Sequence, residues 1–279
     1  MTQLEFAALT LAGSMSAGFL GSLTGLGGGV VIVPMLLLGF HVNVHYAAGA
    51  SLLAVIGTSA GAQAAHGKEG FSNTRIGLFL EIATTLGAIC GAFLSTSTPT
   101  KWIAILFGIV LLYSASSSLG KNKDANAYRG PELLSTKLRL TGTYPEQGKL
   151  VPYSARRIPL GFGLMFGAGT LSGLLGIGSG AVKVLAMDKA MQIPFKVSTA
   201  TSNFMIGVTA AASIGVYMSR GYINAAVAMP VMVGVLLGSL LGARFLIKAR
   251  VKPVRIIFAL VIAVLGAEMI FNGFTGKLS

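Results

Sequence analysis

Charged side chains are scarce in this sequence. Lys, Arg, Asp and Glu together make up 10% of the 279 residues, whereas hydrophobic residues make up 53%. A soluble domain carries about 25% charged residues, so this chain has too few charges to cover a surface that faces water. The composition excludes an ordinary soluble protein and predicts an integral membrane protein.

The residue types that usually build metal and catalytic sites are also few. The chain has one cysteine, Cys90, three histidines and eight acidic residues. A single cysteine excludes an intramolecular disulfide, and so few ligating side chains argue against a metal site. Ser179 has no histidine in its own apolar segment that could act as its base. We therefore expect no metal, no cofactor and no enzymatic activity.

Positive charge, in contrast, is in excess. The sequence has 21 Lys and Arg but only 8 Asp and Glu, which gives a net charge of +13. In a soluble protein this excess would suggest a nucleic-acid partner. Here the basic residues lie in the gaps between apolar segments, a pattern typical of positive-inside loops that meet anionic lipid headgroups. We therefore expect a multi-pass protein of the cell membrane, with a lipid bilayer and not nucleic acid as its partner.

Apolar segments recur along the chain, and several reach the roughly 20 residues that a helix needs to cross a bilayer. In order they cover residues 4–24, 30–40, 46–65, 76–95 and 102–119, then 158–175, 181–191, 195–218, 223–247 and 254–271. The polar segment 120–157 separates the two sets and carries eight basic residues. It is too short and too poor in apolar periodicity for a core of its own, which predicts a cytoplasmic linker between membrane repeats at 1–119 and 158–279.

The two sets of segments are copies of one unit. Gly25, Gly27 and Gly29 align with Gly176, Gly178 and Gly180 at an offset of 151 positions and without a gap. The same offset pairs the polar and small residues Ser51 with Ser202, Thr58 with Thr209, Asn73 with Asn224, Gly87 with Gly238 and Gly91 with Gly242. Matches of this kind indicate a duplicated helical unit.

Each unit has a glycine cluster inside its first apolar region, Gly25-Leu26-Gly27-Gly28-Gly29 and Gly176-Ile177-Gly178-Ser179-Gly180. Glycine weakens a helix interior by roughly 1 kcal/mol per residue, so each cluster predicts a break. The segments on either side of the break form either one interrupted crossing, which gives parallel repeats, or a hairpin that returns to its starting side, which gives inverted repeats.

The distribution of basic residues discriminates between the two arrangements. With one interrupted crossing, alternate loops hold 12 and 9 of the 21 Lys and Arg. With a hairpin, one side holds 18 and the other 3, or 17 and 3 when Lys183 is counted within the membrane. Positive-inside insertion produces the second distribution. We predict an all-α membrane protein of two inverted repeats, each a glycine-broken hairpin followed by three transmembrane helices, with both termini outside the cytoplasm.

In that arrangement two short helices begin near the membrane midplane at Val30 and Ala181. The start of a helix has unpaired N–H groups and a partial positive charge, and glycine leaves those groups uncovered. Two opposed helix starts predict a site for a small anion. The predicted substrate-binding residues are Gly25, Gly27, Gly28, Gly29, Val30, Gly176, Gly178, Ser179, Gly180, Lys183, Ser51, Ser202 and Asn203.

Several of these residues have two interpretations. Lys183 either holds the charge of the substrate or extends to the cytoplasmic interface. Glu81 either couples transport to protons, or lies near the headgroups or pairs with a basic residue of a loop. The hydroxyl of Ser202 binds oxyanion oxygens or bonds back to a helix carbonyl, whereas the Asn203 amide must find a partner wherever it is buried. Glycine pairs such as Gly87 and Gly91 are typical of close helix packing.

Residues 25–34, with the sequence GLGGGVVIVP, resemble the N-terminal signature of the TauE/SafE sulfite-exporter family. Residues 172–180, with the sequence SGLLGIGSG, resemble its second-half counterpart, although Ser179 stands at the position of Gly28 and Leu185 at that of Pro34. The resemblance implies a secondary transporter that exports sulfite, an organosulfonate such as sulfoacetate, or another small anion. The alternative function is a membrane scaffold that docks a partner through its basic linker. A homodimer is compatible with either function.

Overall fold

A computed structural model of the chain describes residues 2–24, 27–66, 71–119, 132–146, 149–246 and 251–275. These residues form helices together with a two-stranded antiparallel hairpin. Among the described helices, four are long and apolar enough to cross a membrane: Gln3–Ser22, Thr74–Ser97, Ile158–Leu175 and Ala225–Gly242. The architecture is thus predominantly helical, as the composition predicts, with a small β element in the linker.

The helices of the first half are α1 (Gln3–Thr24), α2 (Gly29–Pro34, continued by a π-helical segment Met35–Gly39), α3 (Val44–His66), α4 (Thr74–Ser97) and α5 (Thr100–Leu119). The linker contains α6 (Leu133–Lys137), β1 (Thr141–Glu146) and β2 (Lys149–Ser154). The second half has α7 (Ile158–Leu175), α8 (Gly180–Leu185, continued by a π-helical segment Ala186–Ala190), α9 (Phe195–Ser219), α10 (Ala225–Leu246) and α11 (Val251–Thr275). Each predicted apolar segment is therefore a helix, and the element order repeats.

The first two helical arms of each half form a hairpin. The rings of Phe6, near the start of α1, and Phe40, after the π-helical segment of α2, lie 5.2 Å apart in an edge-to-face contact. In the second half, the backbone N–H of Arg156, just before α7, donates to the carbonyl of Met191 at 2.9 Å. The outer ends of the two arms thus meet in both halves, and the glycine cluster forms the turn at the other end.

Glycine is required at these turns by the backbone conformation. Gly27, Gly176 and Gly178 have φ angles of +81°, +72° and +70°. An L-residue with a side chain rarely adopts this region, whereas glycine enters it without a steric penalty. The helix breaks predicted from the glycine clusters are confirmed at these residues. Gly25 and Leu26 lie outside the described residues.

Helices of one half pack mainly on helices of the other. The contacts come in matched pairs, since α1 packs on α10 as α7 packs on α4. A Cβ atom at Gly238 would collide with the carbonyl of Met15, and one at Gly87 would collide with the carbonyl of Phe166. These two contacts are related by the repeat offset, and each joins parallel helices at backbone distance. The predicted packing role of the glycine pairs is confirmed.

Helices α3 and α9 cross in the centre of the bundle and run in opposite directions. Gly49, near the start of α3, lies against the carbonyl of Tyr222, which follows the end of α9. Further along, the hydroxyl of Ser59 donates to the carbonyl of Asn203 at 2.6 Å. Because α3 and α9 are equivalent elements of the two halves, the centre of the protein is built from both copies equally.

Part of the linker folds as a β-hairpin, which the sequence analysis did not predict. Tyr144 and Tyr153 on its two strands are buried and belong to a cluster that includes Ile76 and Leu80 of α4. The side-chain amide of Asn73 donates to the Tyr153 hydroxyl at 2.7 Å. Burial raises the pKa of Tyr153, and the bond from Asn73 partly opposes this rise. The hairpin therefore completes its core on the membrane helices.

Candidate functional site

The two glycine turns meet in the interior of the bundle. A Cβ atom at Gly29 would lie 3.3 Å from the Cα of Ile177, and closer still to Val55 and to the Ser51 hydroxyl. On the other turn, a Cβ atom at Gly178 would lie within 3 Å of both Val55 and Ile206. The structure thus brings the two predicted clusters together and seats them on α3 and α9. Only residues without a side chain leave room for this approach.

Ser51 and Ser202 fasten the turns to these central helices. The Ser51 hydroxyl donates to the carbonyl of Gly29 at 3.4 Å, and the Ser202 hydroxyl donates to the carbonyl of Gly180 at 3.3 Å. Both serines are fully buried. In this arrangement their hydroxyls hold the first residue of each short helix, so these two serines position the site.

A small pocket opens beside the first turn. It is lined by Gly21, Ser22, Gly27, Thr58, Ser59, Ala62, Asn203 and Ile206. Of the predicted site residues, Gly27 and Asn203 lie here. Asn203 is 7% exposed, and its amide can donate two hydrogen bonds. The pocket therefore combines a glycine backbone with hydroxyl and amide groups, a donor set that suits the oxygens of a small anion.

The second turn contains an unusual serine. Ser179 has a φ of +46°, a conformation that costs a side-chain-bearing residue energy. It is 3% exposed, and among the described residues its hydroxyl is without a hydrogen-bond partner. A buried polar atom that lacks a partner carries a desolvation cost of about 1–3 kcal/mol. Ser179 thus holds an unused donor at the turn.

Lys183 and Glu81 are connected through Thr209. The Lys183 ammonium donates to the Thr209 hydroxyl at 2.5 Å, and Thr209 Oγ1 lies 2.6 Å from Glu81 Oε1. Lys183 is completely buried and Glu81 is 5% exposed. Lys183 therefore does not extend to the surface, as its interfacial alternative required, and Glu81 is enclosed by the protein.

The remaining predicted residues line the turns as backbone or core. Val30 is buried in the apolar cluster around α2, and a Cβ atom at Gly28 would lie 3.3 Å from the Thr58 methyl group. A Cβ atom at Gly176 would collide with Ala48 of α3. Gly180, the first residue of α8, is reached through its carbonyl by Ser202. Gly25 is outside the described residues.

Sequence reasoning did not assign a role to Thr209, which stood out only as the repeat mate of Thr58. Its hydroxyl lies 2.8 Å from the Met205 carbonyl of its own helix, and the Thr58 hydroxyl likewise donates to the Ala54 carbonyl. A threonine that bonds to its own helix is common and gives no functional signal. The signal that could have selected Thr209 is its place on α9, nearly two turns after the polar cluster that ends at Asn203.

A family model described as "Sulfite exporter TauE/SafE" matches residues 10–269. The chain is 30% identical over 281 residues to the probable membrane transporter protein YunE of Bacillus subtilis, an alignment that covers 97% of this chain and 99% of that protein. It is 28% identical to YdhB of the same organism, with 82% and 84% covered, and 26% identical to a probable membrane transporter protein of Methanocaldococcus jannaschii, with 91% of each chain covered. No solved structure matches the chain. The chain belongs to the sulfite exporter TauE/SafE family.

Proposed function

We propose that this protein is a secondary transporter that carries a small anion across the cell membrane by alternating access, with its site at the two glycine turns, and that it is not an enzyme. The observation that carries the proposal is the meeting of the turns, where Gly29 approaches Ile177 at backbone distance. Broken helices that meet in the interior of a membrane protein are the usual setting of a transport site. Irregular backbone is tolerated there only where protein or a cavity surrounds it.

The proposal includes an inverted arrangement of the two repeats, with the linker in the cytoplasm and both termini outside. Three features support it. The equivalent helices α3 and α9 run in opposite directions. Gly49, near the start of α3, meets Tyr222 after the end of α9, whereas Ser59, further along α3, meets Asn203 in the first half of α9. The arms of each hairpin return to their starting end. The hairpin topology also collects 18 of the 21 basic residues on one side, in agreement with the positive-inside rule.

The proposed substrate is sulfite or an organosulfonate such as sulfoacetate, moved outward. These anions carry several oxygens around one sulfur atom and need several donors at short range. Asn203 beside the first turn, the Ser179 hydroxyl on the second and the Lys183 ammonium supply an amide, a hydroxyl and a positive charge. The family description supports a sulfur oxyanion, and the donor set is compatible with it.

The test is flux in proteoliposomes that contain the purified protein and are loaded with sulfite or sulfoacetate. We expect saturable efflux above that of empty liposomes. A Ser179→Asp variant should lose this flux, because a negative charge at the turn repels the substrate. Ser179→Asn is the matched control, since Asn has the same shape, tolerates the same backbone region and is uncharged, and it should retain flux.

Two results would overturn the proposal. One is a folded, monodisperse wild-type protein that moves neither sulfite, sulfoacetate nor another small anion. The other is a Ser179→Asp variant with wild-type flux, because this result would show that the turns do not lie on the transport path.

A further inference from the structure

Three buried side chains from three different elements form one polar chain. Lys183 belongs to α8, Thr209 to α9 and Glu81 to α4, and the distances along the chain are 2.5 Å and 2.6 Å. Thr85, one turn after Glu81, also donates to Glu81 Oε1 at 3.3 Å. This row of polar side chains therefore connects a residue of the second glycine hairpin to a helix of the first half.

The other carboxylate oxygen of Glu81 is unused. Glu81 Oε2 is buried, and among the described residues it has no hydrogen-bond partner. A carboxylate oxygen left without a donor in the interior is costly, and a single buried charge without compensation costs more. Lys183 compensates the charge of Glu81 but does not satisfy Oε2. Among these three side chains, Glu81 Oε2 is thus the atom that is available to take a proton.

We propose that Glu81, Thr209 and Lys183 form a charge-exchange device that couples the movement of each anion to one proton in the same direction. Without substrate, the Glu81 carboxylate balances the Lys183 ammonium. When an anion binds Lys183, it adds negative charge to the buried site, two charges in the case of sulfoacetate. A proton from hydronium then forms an O–H bond with Glu81 Oε2 and leaves water behind, which removes one negative charge from the site. Release of the anion on the other side returns the proton to water. This proposal rests on the proposed transport function.

The other ionisable groups on the elements around Glu81 are engaged elsewhere or lie apart from it. They are Arg75 and Cys90, both exposed on α4, Lys196 over the Phe71 ring, Tyr217 on Ser95 and Gly173, Asp188 paired with Lys189, and Tyr153 on Asn73. Helix α7, which packs on α4, contains no ionisable residue in its sequence. Within the described part of the chain, Lys183 is thus the charge that faces Glu81.

The device exists in one copy, although the fold contains two equivalent places for it. At the repeat offset, the mates of Glu81, Thr209 and Lys183 are Met232, Thr58 and Ile32. Thr58 keeps the bond to its own helix, donating to the Ala54 carbonyl at 3.1 Å, but Met232 and Ile32 replace the carboxylate and the ammonium there. One carboxyl group per chain limits the coupling to one proton.

The experiment uses sulfoacetate with wild-type proteoliposomes that also contain a trapped pH dye, with the voltage held at zero by valinomycin and equal K⁺. A pH difference of one unit should concentrate sulfoacetate about tenfold on the alkaline side, since one unit corresponds to a factor of ten per coupled proton. The dye should report a proton movement that starts with the anion. Glu81→Gln should keep sulfoacetate exchange between the two sides but lose both the proton movement and the accumulation.

Thr209→Val should weaken the coupling between anion and proton movement that Glu81→Gln abolishes. Thr209→Ser should keep this coupling, because serine retains the hydroxyl. Thr10→Val loses a comparable buried bond, from the Thr10 hydroxyl to the Phe6 carbonyl of its own helix, away from the pocket and the turns, and should behave as the wild type. If Glu81→Gln does not fold, the Val and Ser variants of Thr209 decide the question. Anion flux without proton movement, or unchanged coupling in Glu81→Gln, would overturn this inference and leave the transport function standing. No anion flux by folded wild type would overturn both.

Discussion

Ser51 and Ser202 make the same hydrogen bond in the two halves of the protein. Each hydroxyl reaches across 22 residues of sequence to the carbonyl of the first residue of a short helix, Gly29 at 3.4 Å and Gly180 at 3.3 Å. The bond joins a glycine hairpin to the central helix of its own half. Because α3 and α9 also contact each other, the two serines tie both turns to a single central pair of helices.

We expect Ser51→Ala and Ser202→Ala each to lower the free energy of unfolding by about 1 kcal/mol, the usual value of one buried hydrogen bond. The flux of sulfite or sulfoacetate should fall by roughly tenfold in each, because a displaced turn misaligns the site. Thermal unfolding in detergent and proteoliposome flux measure the two effects. Ser16→Ala is the control, since the exposed Ser16 hydroxyl bonds only to the Ala12 carbonyl of its own helix. Wild-type flux in both variants would contradict the positioning role.

The close contacts of parallel helices give a second prediction. A Cβ atom at Gly238 would collide with the Met15 carbonyl, and one at Gly87 with that of Phe166. Gly87→Ala and Gly238→Ala should each destabilise the protein by about 1–3 kcal/mol, the usual cost of overpacking. A Cβ atom at Gly163 meets nothing within 4 Å, so Gly163→Ala should be neutral or stabilising, because alanine favours the helix by about 1 kcal/mol. The order of the three unfolding temperatures checks this, and equal temperatures would count against it.

The helices and the breaks could be predicted from the sequence because their causes are local. An apolar segment such as 158–175 becomes a helix of the same extent, α7, since the bilayer requires a continuous hydrogen-bonded span. The turns at Gly27 and Gly178 follow from the conformational freedom of glycine. In both cases the residues that carry the signal are adjacent in the sequence.

The linker hairpin and the polar chain could not be predicted in this way. Pro145 and Pro152 fall within the two strands and mask the strand pattern, because proline is rare inside a sheet. The burial of Tyr153 depends on α4, which is distant in sequence. Likewise, Glu81 and Lys183 lie on different halves and have apolar repeat mates. The packing of α4 and of α8 against α9 brings these two charges to the same hydroxyl.

The contact of Tyr153 with Asn73 gives a prediction about pH. Burial raises the pKa of the Tyr153 phenol above its ordinary value of 10.0, so the folded protein binds this proton more tightly than the unfolded chain does. Its contribution to stability is therefore fully present below pH 10 and is lost as the pH rises further. At neutral pH, Tyr153→Phe should be less stable than the wild type by about 1 kcal/mol, because phenylalanine cannot accept the hydrogen bond from Asn73.

The difference in unfolding temperature between wild type and Tyr153→Phe should shrink as the pH rises above 10, because phenylalanine has no proton to release. A difference that stays constant between pH 7 and pH 11 would show that the burial of Tyr153 does not affect its ionisation.

The proposed topology predicts which surfaces reagents can reach from outside the cell. In a Cys90→Ser background, Thr2→Cys should react with a membrane-impermeant maleimide in intact cells, because the N-terminus lies outside. Lys149→Cys, on the exposed part of the linker hairpin, should react only after the membrane is permeabilised. Thr98→Cys, partly exposed between α4 and α5, is the internal control. A hairpin followed by two crossings, α3 and α4, puts it on the same side as Thr2, so opposite labelling of these two positions would exclude the inverted arrangement.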